Sequence, residues 1–382
     1  MIKVKREDLK SVVEKMRKFE RGGSIDFYVE KDSLTASADN SQVYITCVVP
    51  CHGDTASFDG IQIPSKLLRD YIQESDQEFL WLKAVSGARS LQVVIENEKS
   101  RHSFPVCKSA SRKTHPIAND GAIIMATTSD DLADAVGNAS LFSNRSDFQL
   151  DRIGASGPMF FVTENNGKKF LKVIGTTSTN GVCTVIPIET AQTEAYLGML
   201  AGPCVDIFHE MASTGSRLIH FNDTLATIFG VGTFVTAAQA HSNLSDMIGR
   251  VIASRSKADC KWEVDYGLFN SIAIATVIPS DFLGDRNTEV YWGIAEEKSV
   301  IISKGNSGSS VVFQQVQSLT GKKELVFDAQ KFLICKKLFL SKSPIKMSVA
   351  GHILFCQQGS TLYYQCLKGD SRGEKYKEVS EE

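Results

Sequence analysis

An order of helix, strands, helix, strands runs through this chain three times, and that repetition constrains the architecture more than any local motif does. The first helix type of each round is predicted at residues 6–19, 129–142 and 265–278. The second is predicted at residues 65–72, 195–211 and 328–340. Three similar α+β modules joined in series imply a curved or closed object rather than one compact enzyme.

The 382 residues suffice for two or three domains of ~100–200 residues each. A net charge of −2 excludes a uniformly basic, histone-like nucleic-acid binder, but not a protein with one basic face. Cys47 and Cys51 are separated by three residues, and no second pair stands at metal-ligand spacing. The nine cysteines therefore read as reduced thiols of a cytosolic protein, with no zinc site. No signal peptide is legible, and no apolar run approaches the ~18 residues of a membrane span. There is no P-loop, no dinucleotide-binding glycine fingerprint and no metal-spaced histidine cluster, so no cofactor is expected.

The first module is read at 1–117. Leu9, Val12, Val13, Met16 and Phe19 form one helical stripe. Leu34, Ala36, Val43, Ile45 and Cys47 alternate onto one face of a hairpin that turns at Asp39-Asn40-Ser41. Ser65 is expected to cap a helix over 66–72 that buries Leu67, Leu68, Tyr71 and Ile72. Strands are expected at 79–83, 91–96 and 102–106, then a linker over 109–121.

The second module, 122–240, opens on Ser129-Asp130-Asp131, with acids in the first helical turn. Strands at 158–163 and 169–174 flank the turn Asn165-Asn166-Gly167. Gly202-Pro203 interrupts the second helix, which should begin at or after Pro203. Strands at 218–221, 226–230 and 233–237 follow, and 240–258 reads as a second linker. In the third module, 246–367, the first helix rests on Leu268, Phe269, Ile272, Ala275 and Thr276. Strands fall at 289–294, 300–303 and 310–315, a helix starts at Asp328 as N-cap, and strands at 352–357 and 361–367 end the fold. Residues 368–382 are charged and aperiodic, and are expected to be disordered.

In this order the chain resembles the bacterial-type DNA sliding clamp, the beta subunit of the replicative polymerase, as a diverged or viral member. The resemblance covers nearly all of 1–367. It rests on the order of elements and on three strings: residues 61–72 (I-Q-I-P-S-K-L-L-R-D-Y-I), residues 171–185, and residues 246–252 (D-M-I-G-R-V-I). The family's charged Thr-Asp-Gly-His-Arg turn is here Thr176-Thr177-Ser178-Thr179-Asn180-Gly181, and family members usually lack the tail.

The resemblance implies a ring-shaped homodimer in the cytoplasm (of the host, if viral), with helices lining a pore around duplex DNA. Sequence-independent phosphate contacts would come from Arg6, Lys10, Lys15, Arg17 and Lys18 on the first helix, and from Lys66 and Arg69 on the second. The loop residues Arg21 and Arg145 and the third-module residues Lys331, Lys336, Lys337 and Lys342 complete that set. The helices of module two are poor in bases. The competing reading of these cations is an ordinary solvated helix face. A polymerase and a clamp loader would dock a short apolar peptide against Ile153, Thr176, Val182, Ile252, Cys366 and Leu367, which otherwise read as plain core residues. The tail emerges beside that pocket and is expected to be able to occlude it. Ring closure would set Phe104 and Val106 against Val277 and Ile278 of a second copy, head to tail.

The sequence leaves two other functions to consider. Gly305-Asn306-Ser307-Gly308 is similar to the nucleophile turn of chymotrypsin-like proteases, with His52 as base and Asp120, Asp206 or Asp223 as its orienter. The same string suits any hairpin turn, and helices at 6–19 and 328–340 do not belong in a double β-barrel. A modular protein–protein scaffold of the same fold, without DNA encirclement, is the other alternative.

Overall fold

A computed structural model describes residues 1–17, 23–39, 43–54, 58–86, 90–96, 100–109, 116–118, 120–142, 157–177, 179–239, 245–277, 289–295, 298–305, 308–321, 323–339 and 343–368. Of the residues expected at functional surfaces, Lys18, Arg21, Arg145, Ile153, Ile278 and Lys342 lie outside these ranges, as does nearly all of the tail.

Among the described residues are seven α-helices: α1 (Arg6–Arg17), α2 (Ser65–Glu74), α3 (Ser129–Ser140), α4 (Val205–Ser213), α5 (Ser245–Ser254), α6 (Gly267–Val277) and α7 (Ala329–Ile334). All strand pairing is antiparallel in an α+β arrangement. The chain divides into two compact units, one of residues 1–133, 188–193 and 203–240, the other of 134–187, 194–202 and 241–382.

In the first unit, alternation sets the strands. Leu34, Ala36 and Ala38 of Ser33–Asp39 sit opposite Val49, Cys47 and Ile45 of Val43–Gly53, and all are buried. That face takes the apolar stripe Leu9, Val12, Val13 and Met16 of α1 and Leu68 and Ile72 of α2. Val43–Gly53 also pairs with Thr233–Ala238, Cys47 against Thr233, so one sheet runs on through Leu225–Gly230, Leu218–Phe221 and Ala122–Ala126. A second meander, Phe79–Ser86, Leu91–Glu96 and Arg101–Pro105, is anchored by Ile2–Lys5.

In the second unit, Asn180–Glu189 pairs with Thr361–Cys366, Val182 against Tyr363. This seam continues the sheet from Met159–Asn165 and Lys168–Thr176 into Ile353–Gln358, Ile345–Ala350 and Cys260–Val264. Asn166 and Gly167 both take positive φ (51° and 72°), the turn that an Asn-Gly hairpin needs. A four-stranded sheet, Gly308–Gln315, Lys298–Gly305, Glu289–Ala295 and Lys323–Asp328, stands apart. Its Trp292 meets Trp262 of the long sheet edge-to-face at 5.5 Å. Phe269 of α6 and Phe332 of α7 join the same core.

Several local expectations are corrected. Ser65 is inside α2, whose N-cap is Pro64, and makes no side-chain cap. Leu67 is exposed rather than buried. Residues 195–199 form a strand, Ala195–Met199, not the start of a helix, while the helix does begin after Pro203 as the Gly202-Pro203 interruption implied. The linker read over 240–258 contains α5. Asp328 does cap α7, accepting from the amides of Gln330 (3.0 Å) and Lys331 (3.2 Å).

Candidate nucleic-acid and partner-binding surfaces

The cations of α1 and α2 differ in kind. Arg6 turns inward: its Nη1 donates to the carbonyl of Ser75 (2.7 Å), just past the end of α2, and its Nη2 pairs with Glu7. A guanidinium there satisfies carbonyls that a helix end leaves open and sits at the negative end of the helix dipole. Arg69 spends two donors on the neighbouring Asp70, at 3.0 and 2.7 Å. Lys10 and Lys15 are half-buried on the flanks of α1, Lys66 is exposed, and the side chain of Arg17 lies outside the described residues.

In the second unit, Lys331 Nζ donates to Thr179 Oγ1 (2.9 Å) and so braces the turn before Asn180. Lys336 Nζ reaches Asn270 Oδ1 (3.1 Å), while Lys336 and Lys337 are both exposed in the turn Cys335–Lys337 after α7. Lys66, Lys336 and Lys337 are thus the expected phosphate ligands that stand furthest into solvent. Arg6, Arg69 and Lys331 are already committed to protein partners.

Four of the residues expected at a peptide pocket meet at the seam. Thr176 is buried, accepts from the hydroxyl of Tyr364 (2.6 Å) and donates to the carbonyl of Thr177 (2.9 Å). Burial raises the Tyr364 phenol to about 12, against a lowering by the Thr176 hydrogen bond. Val182 is fully buried in the core, so it supports the seam from beneath. Cys366 is exposed and Leu367 half-buried, packed against that core. The Cys366 amide donates to the carbonyl of Thr179 (2.7 Å), which ties the end of the last strand to the turn. Asp328, Lys331, Tyr363 and Gln365 tie α7 to the same strands: Tyr363 OH donates to the Lys331 carbonyl (3.1 Å) and Gln365 Nε2 to the Asp328 carbonyl (3.0 Å). Ile252 lies elsewhere, on α5, lining a cavity of about 710 Å³ with Arg255, Lys261 and Lys346.

Several strands have an unpaired edge among the described residues, Ala195–Met199, Lys323–Asp328, Arg101–Pro105 and Gly308–Gln315 among them. Arg101–Pro105 bonds only to Leu91–Glu96 and carries Phe104, half-buried, while Val106 beyond it is buried. Gly308–Gln315 bonds only to Lys298–Gly305. Apolar side chains flank this second edge on both faces. Val311 and Phe313 (80% exposed) stand on one, and Ile274 (59%) and Val277 (68%) of α6 on the other, where Ser271 bonds Gln314 at 3.0 Å. An open edge bordered by exposed apolar residues is a template for a further strand. Sequence reasoning does not single out Phe313, Val311 and Ile274, although the three consecutive apolar residues at 311–313 put apolar side chains on both faces of that strand.

The protease string falls on a hairpin, with Gly305 opposite Gly308. Its Asn306 and Ser307 lie outside the described residues. Among those described, no acid–histidine–cysteine cluster with metal-ligand geometry occurs, and no helix is long and apolar enough to cross a membrane.

No family model matches the sequence, and no curated protein matches it either. Solved structures do match in fold. The DNA polymerase sliding clamp of Bacillus subtilis aligns with a TM-score of 0.79 at 12% identity, over 96% of this chain and 98% of that one. The DNA polymerase III beta subunit of Pseudomonas aeruginosa gives 0.80 at 11% identity, over 97% and 100%. The sliding clamp of Bartonella birtlesii, bound to griselimycin, gives 0.77 at 13% identity, over 96% and 99%. From end to end, this chain has the fold of the bacterial DNA polymerase sliding clamps.

Proposed function

We propose that this protein is a DNA sliding clamp, a non-catalytic processivity factor that encircles duplex DNA and tethers a DNA polymerase to its template. The carrying observation is that the likeness to clamps spans 96–97% of this chain and 98–100% of theirs. The chain is read as three clamp domains, 1–117, 122–240 and 246–367. The two sheet seams, at Val43–Gly53 with Thr233–Ala238 and at Asn180–Glu189 with Thr361–Cys366, then join consecutive domains edge to edge.

Of the open edges, Arg101–Pro105 and Gly308–Gln315 are suited to pair head to tail between copies and close a homodimeric ring. Phe104, Val277 and Ile274 would be covered there. Hold on DNA comes from topology. Lys66, Lys336 and Lys337 add sequence-independent attraction to phosphates, which permits sliding because no base is read. Polymerase and loader are placed, by an apolar peptide, at the surface near Thr176, Cys366 and Leu367.

The test is retention on DNA. Protein assembled on nicked circular DNA should remain bound through a wash at ~0.5 M salt and be released when the circle is linearised, whereas an electrostatic binder leaves with salt alone. Release by salt from the closed circle would put the scaffold reading ahead. Electron micrographs of the protein should show closed two-fold rings.

A further inference from the structure

The cavity under α5 has a charge character that the clamp reading does not use. Its walls come from α5 and the turn after it, and from the strands Cys260–Val264, Gln317–Thr320 and Ile345–Ala350. Register places Lys261 opposite Ser348 and Glu263 opposite Lys346, and directly opposed residues share a face. Lys261 and Lys346 are exposed. Arg255 faces them from above, its guanidinium bonded to Gln357 Oε1, while Gln357 Nε2 is held by the Gly359 carbonyl (3.0 Å). Three cations therefore meet one acid, Glu263, around a space of about 710 Å³ that also has the apolar side chain of Ile252. The wall is locally distorted as well. A β-bulge falls between Lys261 and Glu263, and Ser318 opposite it has φ of 52°. Such distortions re-aim side chains and gather at functional sites.

We infer that this cavity is a docking site for the acidic segment Glu378-Val379-Ser380-Glu381-Glu382 of the same chain, with its carboxylates on Arg255, Lys261 and Lys346. Charge complementarity is the first argument: the segment carries three carboxylates around one apolar residue and no cation. Reach is the second. Cys366 is paired with Ile353, and Ile353 with Ala350, two residues from Ser348 of the cavity wall. Strand spacing of ~4.8 Å and a rise of ~3.3 Å per residue put Cys366 ~12 Å from the wall, and the two residues on to Lys368 add at most ~7 Å. The nine residues 369–377 span up to ~30 Å. The inference concerns one chain without DNA, so it stands or falls apart from the clamp reading. If both hold, the docked segment covers Ile252 and leaves the surface near Thr176, Cys366 and Leu367 open.

The experiment uses a fluorescein-labelled peptide of residues 373–382, the full chain and a chain ending at Lys368, read by anisotropy at low salt. The peptide should bind the shortened chain. Its binding to the full chain should be ~10-fold weaker, because a tethered segment at ~1 mM effective concentration competes with a peptide of ~100 μM affinity. Lys261→Glu with Lys346→Glu in the shortened chain should weaken binding at least tenfold, with only a small fall in melting temperature from the second carboxylate set opposite Glu263. Equal affinity for the two chains, or indifference to the charge reversal, overturns the inference. Zero-length carbodiimide coupling of the full chain gives a second reading, with the Lys323–Asp259 pair (3.2 Å) as internal control. Coupling of Lys261 or Lys346 to Glu381 or Glu382 within one chain is expected. Coupling of the control pair without any tail product, or tail products only between two copies, refutes docking in cis.

Discussion

The double substitution Ile274→Ala with Val277→Ala tests ring closure at an exposed apolar face of α6. Both side chains project from α6 beside the open edge Gly308–Gln315, at 59% and 68% exposure. Full burial of such a side chain is worth ~2 kcal/mol, so covering the exposed fractions contributes ~2–3 kcal/mol per interface. A head-to-tail ring of two copies contains that interface twice, which doubles the loss to ~5 kcal/mol if coverage is complete. Half coverage leaves ~2.5 kcal/mol, or a rise of nearly a hundredfold in the dimer dissociation constant. The fold itself should not suffer, because the removed atoms face solvent and alanine is the better helix former. Sedimentation velocity over a concentration series measures the constant, and a thermal melt of the dissociated protein serves as control. A constant within ~5-fold of the parent's, with at least half coverage implied by ring closure, would refute the reasoning. So would a fall in the monomer's melting temperature that accounts for the change.

The cations should separate into two groups. Lys66→Ala should leave the melting temperature unchanged and lower the slope of log affinity against log salt for linear duplex by up to ~1, whereas Arg6→Ala should cost ~1.5–3 kcal/mol of stability by leaving the Ser75 carbonyl without its charged donor. Gly175→Ala should strongly destabilise the second unit, by ~3 kcal/mol or more in urea unfolding, because a Cβ there would lie 1.9 Å from the backbone oxygen of Ala139 and neither backbone can yield cheaply. Burial holds the Cys47 thiol at about 11 and the Cys183 thiol at about 12, against 9.0 ordinarily. Both contribute stability that is intact below pH 9 and lost as pH rises toward those values, since only the unfolded chain releases the proton there. Unfolding midpoints at pH 8 and pH 10 should therefore fall with pH, and less steeply in Cys183→Ala. Native protein at pH 8 should react promptly with a thiol reagent at Cys107 and Cys366, the exposed pair among nine free cysteines.

Much of the local structure was legible because it rests on period and on turn chemistry. The stripe of α1, the Asn166-Gly167 turn, the Asp328 cap and the alternation of Ser33–Asp39 follow from neighbours in sequence. The failures have physical reasons. The linker over 240–258 hid α5, because Gly249 and the polar ends of that segment dilute a helical signal. Ala195–Met199 carries good helix formers, yet it pairs with Met159–Asn165, and that pairing overrides propensity. The expected partner-pocket residues illustrate the same limit. Thr176 and Cys366 meet at the seam, but Val182 points into the core and Ile252 lines another cavity, a distinction that no spacing along the chain encodes.

The sequence by itself determined most of the elements and their order, α5 and Ala195–Met199 apart, since each depends on contacts within a turn of helix or a pair of strands. Whether a lysine meets solvent or a protein partner was decided only in three dimensions. Arg6 became a brace for the end of α2 and Lys331 a brace for Thr179, while Lys66 stayed exposed on its face. The tertiary structure also decided which edges pair and which stay open, because sheet order depends on residues as far apart as Cys47 and Thr233. Charge and exposure are properties of neighbours in space, and the seam strands bring together neighbours that the sequence holds far apart.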